Sequence, residues 1–236
     1  SAAGNGTFNN AGTLNWGDGT GAARSLNPIF NNSGTVNVND GLNINVGGSD
    51  SGVYDVDAGK TLNFAGGTRN LNAGSNIIGA GTMNAAGTVN ANGNLGIAAT
   101  GNVIVNGTLN LDTPAAALSF ANPLTVLAGV LNATDDLSVA TLNWSGGNIT
   151  GSGLLTTTGT STLSGGATKD LTDKTWNNSG TVDITAGSFR VFNSAGAAVF
   201  NNQAGGVVNV TSNSGTPISA AGNGTFNNAG TLNWGD

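Results

Sequence analysis

The sequence predicts an all-β fold, a single parallel β-helix (β-solenoid) of short stacked coils. Three observations carry this: a short motif that returns along the whole chain, strict alternation of apolar and polar residues after each motif, and a composition unfavourable to helices. The motif is plainest in FNNAGTLNW (Phe8 to Trp16), FNNSGTVNV (Phe30 to Val38), WNNSGTVDI (Trp176 to Ile184) and again FNNAGTLNW (Phe226 to Trp234). Weaker versions run from Val56, Met83, Val103, Leu124 and Ile149, and FNNQAGGVVNV from Phe200 carries an insertion.

Each unit reads in the same order. The opening apolar residue points to a core. The Asn-Asn-x-Gly that follows suits a sharp corner, because Asn and Gly tolerate left-handed backbone. After the Gly-Thr pair, Thr13-Leu14-Asn15-Trp16, Thr35-Val36-Asn37-Val38 and Thr108-Leu109-Asn110-Leu111 put apolar side chains on one face and Thr or Asn on the other. That period of two is the signature of a half-buried strand. Helices are disfavoured, since Gly occurs 40 times and each Gly costs a helix about 1 kcal/mol relative to Ala.

The first apolar residues of the units fall at intervals of 20 to 27 residues, nine of which fill a longer period of 218. Periods in this range mark stacked repeats, so about nine coils are expected per long repeat. One coil cannot stand alone. Six to eight inward side chains contribute roughly 1.5–3 kcal/mol each, whereas ordering the backbone costs about 1–2 kcal/mol per residue. Hydrogen bonding and shared burial between coils must supply the rest. Asn at equivalent corners, such as Asn9-Asn10, Asn31-Asn32, Asn177-Asn178 and Asn201-Asn202, is expected to stack into amide ladders.

The longer period is exact where it can be checked: Ser1 to Asp18 (SAAGNGTFNNAGTLNWGD) recurs unchanged at Ser219 to Asp236. Residues 1–218 are therefore read as one complete long repeat and 219–236 as the first residues of the next. At about 4.8 Å per coil, nine coils would set Ser219 about 43 Å along the axis from Ser1.

Composition narrows the function. The charged fraction is 8%, the net charge is −6, and Glu, His and Cys do not occur. Without a basic run, binding of nucleic acid through its phosphates is not expected. No stretch approaches the roughly 18 apolar residues that span a bilayer, so membrane insertion by this segment is not expected. Lack of His and Cys removes nucleophilic triads and leaves only a Ser-Lys arrangement open. For a hydrolase the only close carboxylate pairs are Asp135-Asp136 and Asp55-x-Asp57, without the acidic and basic company that such a site needs. Asp50, Asp55 and Asp57 are the candidate calcium ligands, although the string around them lacks the spacing of calcium-binding nonapeptide coils. No catalytic, cofactor or metal site is assigned.

The aromatic residues Phe8, Trp16, Phe30, Trp144, Trp176, Phe200, Phe226 and Trp234 fall mostly on the inward phase and read as core. Ser188-Phe189-Arg190-Val191-Phe192 reads as a strand with Phe189 and Val191 on one face, or as an exposed aromatic and arginine patch.

The repeated FNNxGTxNx units with Gly-rich corners resemble right-handed parallel β-helices of bacterial surface proteins, closest to the filamentous-haemagglutinin and autotransporter-passenger type. The resemblance covers nearly the whole chain. It implies a right-handed coil, export, a place outside the cell or at its surface, and a fibrous form. The expected function is thus a structural repeat of a giant extracellular fibrous protein, without catalytic activity or cofactor, whose partners are neighbouring repeats or protomers end to end along the fibre axis. The alternative is an adhesin rod that binds surface glycans through loops such as Gly47 to Asp57 and Thr156 to Lys174.

Overall fold

The computed structural model describes residues 6–115 and 117–235. Ser1 and Asp236, the outer ends of the two copies of the repeated segment, lie outside them, and so does the expected axial offset from Ser1. The chain divides into two units, Ser1–Ala115 and Ala116–Asp236. Each is a parallel β-solenoid, and the two together hold about 11 coils. Among the described residues only Ile97–Thr100 is helical.

In the first unit a full coil has three short strands joined by corners. The second coil illustrates it with Ile29–Asn32, Thr35–Val38 and Leu42–Ile44. Like strands of successive coils pair in parallel, so Thr35 to Val38 lie opposite Thr13 to Trp16 on one side and Val53 to Val56 on the other. Alternation sets what is inside. Val36 and Val38 are fully buried whereas Thr35 and Asn37 are only partly covered, and Leu62, Phe64, Met83, Val103 and Leu109 continue the core.

The second unit repeats the plan with Thr175–Asn178, Thr181–Ile184 and Ser188–Phe192 as one coil. Its core is richer in aromatic residues. Trp176 meets Phe200 with ring centroids 4.9 Å apart at 82°, and Phe189 meets Phe200 at 5.3 Å and 77°, edge-to-face geometries favoured by the ring quadrupoles.

The expected architecture is therefore present, with a coil count close to the expected nine per 218 residues. The difference lies in how the motif maps to faces. Phe8 and Phe30 are in register, as are Met83 and Val103 in the first unit and Trp176, Phe200 and Phe226 in the second. Between those runs the motif changes face. After Ile29–Asn32 the next strand on that face is Gly48–Asp50, with Asp50 opposite Asn32, whereas Val56 stands against Val38 on another face. Coils as short as 18 residues result, as between Asn32 and Asp50. Their opening inward positions are filled by residues such as Gly48 and Arg69, which carry no apolar signal.

Asn-Asn-x-Gly corners also use glycine in an unexpected way. Gly12, Gly34, Gly180 and Gly230 do not have the left-handed backbone seen at Gly59 or Gly205. Instead, a Cβ at Gly34 would overlap the carbonyl oxygen of Gly12, one at Gly180 that of Gly159, and one at Gly230 that of Gly206. Here glycine is required because one corner lies directly on the corner of the preceding coil.

Candidate functional site

Four kinds of side-chain arrangement stand out, and each follows from strand phase. The first is the asparagine ladder. The second Asn of each Asn-Asn pair turns inward: Asn10, Asn32, Asn178 and Asn202 are buried. Asn10 Nδ2 donates to Asn32 Oδ1 at 2.9 Å, and Asn178 Nδ2 donates to Asn202 Oδ1 at 2.8 Å. The same amides close their own corners, as when Gly180 N donates to Asn178 Oδ1 at 3.2 Å. The first Asn of each pair turns outward and forms a second ladder, with Asn201 Nδ2 donating to Asn177 Oδ1 and Asn227 Nδ2 to Asn201 Oδ1, both at 2.8 Å. Strand asparagines do likewise: Asn90 donates to Asn70 at 2.7 Å and Asn110 to Asn90 at 2.8 Å. The ladders of the Asn-Asn pairs were legible in the sequence, although those pairs end strands instead of forming corners; the row of Asn70, Asn90 and Asn110 was not.

The second arrangement, buried charge, was not. Asp50 occupies the inward position next to Asn32 and accepts its backbone N–H at 2.9 Å. Arg69, 1% exposed, reaches it from the adjoining coil at 3.1 Å and also donates to the Phe30 carbonyl. A Cβ on Gly48, the residue in register with Arg69, would strike the guanidinium, so glycine leaves the room that this cation fills. Phe64 and Phe30 flank it, with guanidinium to ring-centroid distances of 5.5 and 6.0 Å. Burial lifts the Asp50 carboxyl above its ordinary pKa although Arg69 opposes the change. Lys169 and Lys174 are buried as well. Lys169 Nζ donates to the carbonyls of Gly165 and Ala186, both at 2.7 Å, and Lys174 Nζ to those of Gly153 at 2.7 Å and Ala133 at 3.2 Å. Burial holds the Lys174 ammonium down to about 8, against the opposing fields of Asp136 and Asp135. The available signal was phase: Arg69 and Lys169 occupy the apolar register of TRNL and TKDLT.

The third group comprises the candidate catalytic and metal-binding carboxylates, which the fold separates. Asp135 is buried while Asp136 is exposed and accepts the Leu154 N–H at 2.7 Å. Asp50 faces the interior and Asp55 and Asp57 the exterior. Among the described residues no three His, Cys, Asp or Glu side chains gather as a metal-binding group. The hydrogen bonds of Lys60 go to the Gly19 carbonyl and Asp40, so all three lysines bond to carbonyls or a carboxylate rather than to a serine hydroxyl.

The fourth group is exposed. In Ser188–Phe192 the strand reading holds, with Phe189 and Val191 fully buried. Arg190 lies outside, 5.1 Å from the Phe192 ring centroid, and makes two bonds to Asp170 at 2.7 and 2.8 Å. The segments Gly47 to Asp57 and Thr156 to Lys174 are built largely from regular strands. Longer corners lie elsewhere, at residues 17–23, 193–198 and 211–217. The last borders a cavity of about 410 Å³ lined by Thr211, Ser212, Asn213, Ser214 and Trp234.

Compared with protein-family models, curated proteins and solved structures, the chain matches none. Its class is defined by its own architecture, a parallel β-solenoid with asparagine ladders inside and outside.

Proposed function

We propose that this chain is a structural repeat of a giant extracellular fibrous protein, a building block of a filament, sheath or stalk, without catalytic activity. The observation that carries the reading is the coil-on-coil bonding: buried amides such as Asn178 join one coil to the next while closing their own corners. Buried polar groups bonded in this way fix register, and a fixed register between stacked repeats suits a long, quasi-one-dimensional assembly. The chemically versatile side chains are used within the scaffold, Lys169 and Lys174 on carbonyls and Asp50 on Arg69. The likeness of the FNNxGTxNx units to filamentous-haemagglutinin and autotransporter-passenger repeats supports placing it outside the cell. Electron microscopy of the full-length protein should show thin rods, with fibre diffraction giving an axial reflection near about 4.8 Å; compact particles would overturn the proposal.

A further inference from the structure

Backbone ladders join a strand only to its neighbours, so Gly48–Asp50 pairs with Ile29–Asn32 before it and Thr68–Leu71 after it. Three cations reach further. Arg69 Nη1 donates to the Asp50 carboxylate one coil back at 3.1 Å and, from the same nitrogen, to the Phe30 carbonyl two coils back. Lys60 Nζ donates to Asp40 Oδ1 one coil back at 3.2 Å and to the Gly19 carbonyl two coils back at 2.8 Å. Lys174 Nζ donates to the Gly153 carbonyl one coil back at 2.7 Å and to the Ala133 carbonyl two coils back at 3.2 Å. The far partners lie 39, 41 and 41 residues away, about twice the length of one coil.

The coil in between is shaped for this passage. Gly48 stands in register with Arg69, and a Cβ there would meet both the Phe30 carbonyl oxygen and the guanidinium. In the second unit a Cβ at Gly151 would overlap the Ala133 carbonyl oxygen, which is the far partner of Lys174. Beside Lys60 the middle coil contributes the buried Asp40 carboxylate instead, which also accepts the Gly21 N–H at 3.0 Å and so fixes the corner of the earlier coil. Arg69 and Lys174 are each 1% exposed, so a carbonyl that loses its cation there is left buried and unmet.

Where stacked repeats touch only their neighbours, stability is a sum of repeat and nearest-neighbour contributions, and coils are free to open one at a time. A bond to the second neighbour changes this, because opening any of the three coils it spans breaks it. We propose that Lys60, Arg69 and Lys174 are two-coil clamps, which make groups of at least three coils yield together, to axial pull or to thermal opening, where an unclamped solenoid unravels coil by coil. In the first unit two spans overlap: Lys60 ties the coils of Gly19, Asp40 and Lys60, and Arg69 ties those of Phe30, Asp50 and Arg69. The inference rests on the fibre reading for its biological use, since a rod under load is weakened most by a coil that opens alone.

Native-state hydrogen exchange of the full chain, read by mass spectrometry at increasing urea, tests the clamps. In the parent, the amides of Ile29–Asn32, Gly48–Asp50 and Thr68–Leu71 should share one opening free energy and one urea slope, the mark of a single cooperative unit. Asp50→Asn combined with Arg69→Met removes one clamp and leaves no buried charge behind. Thr68–Leu71 should then leave the group, with a urea slope at least about twofold smaller, because the slope follows the surface exposed on opening. Lys174→Met makes the same test in the second unit, on Val130–Ala133, Gly147–Thr150 and Thr168–Thr172. If the first unit does not fold without Arg69, the Lys174→Met result decides. Strands that already open separately in the parent, or that keep a common slope in either folded variant, would overturn the proposal. Exchange is read on single molecules in solution, so failure of the clamps is distinguishable from failure of the fibre reading, which electron microscopy tests.

Discussion

Arg69 Nη1 lies 3.1 Å from Asp50 Oδ1 inside the first unit, with both side chains essentially inaccessible to water. A buried pair of this kind costs desolvation that its mutual attraction only partly repays, but removing one partner strands the other. Arg69→Met should therefore lower unfolding free energy by about 3–5 kcal/mol, measured by urea denaturation followed by far-UV circular dichroism. Asp50→Asn combined with Arg69→Met should recover most of that loss, because Asn at residue 50 would extend the row of Asn10 and Asn32. A double variant as unstable as the single one would show that the pair contributes more than charge balance.

Glycine at the corners makes a contrasting prediction. Gly180 has ordinary backbone angles, yet a Cβ there would overlap the Gly159 carbonyl oxygen, while at Gly166 a Cβ meets nothing within 4 Å. Gly180→Ala should cost about 1–3 kcal/mol, as overpacking does, and Gly166→Ala should stay within about 0.5 kcal/mol of the parent. Equal effects of the two substitutions in thermal melts would contradict the stacking explanation.

The contrast shows what was legible in the sequence. Strand phase is a local property, and it correctly placed Phe30, Trp176 and Phe200 inside, whereas Asn31 and Asn201, which read as corner residues, lie within strands. The Asn ladders followed because equivalent positions of successive coils stack, although the Asn-Asn pairs end strands rather than form the corners. Relations between coils were harder to see. Gly34 reads as a left-handed corner residue, and only the Gly12 carbonyl above it shows the true constraint. Arg69 and Lys174 were hidden because a charged residue on an apolar phase makes sense only when its partner, Asp50 or the Gly153 carbonyl, is known. Coil boundaries blurred where Gly48 and Arg69 replace the apolar marker.

Two adjacent residues each predict stability that rises with pH, in two separate windows. The Asp173 carboxylate accepts the Ser194 hydroxyl and N–H, both at 2.7 Å, and these bonds hold it down to about 2. Its pKa is below the unfolded value near about 3.9, so its contribution is full above about pH 4 and is lost as pH falls through about 2. Lys174, held down to about 8 by burial, binds its proton less readily in the folded state than in the unfolded chain, where the value is near about 10.4. Its effect is a penalty, full below about pH 8 and relieved as pH rises towards about 10.4. Urea midpoints measured against pH should show both slopes. Asp173→Asn, which tolerates the left-handed backbone at residue 173 (φ 50°), should flatten the acid limb alone, and Lys174→Met the alkaline limb alone.

Inner and outer ladders should differ in worth. Asn178 is fully buried, and its amide holds Asn202 at 2.8 Å, the Gly180 carbonyl at 3.1 Å and the Thr157 hydroxyl at 3.0 Å. Asn178→Ala removes these bonds and strands buried groups, each costing about 1–3 kcal/mol when left unmet. Trp176 makes the loss propagate, because its Nε1 donates at 2.9 Å to the same Thr157 hydroxyl. Asn201→Ala interrupts a ladder that water can replace, so its cost should stay near about 1 kcal/mol. Paired denaturation curves should thus place Asn178→Ala at least twice as far below the parent as Asn201→Ala. If the two coincide, water reaches the inner ladder and the register is held by the backbone alone.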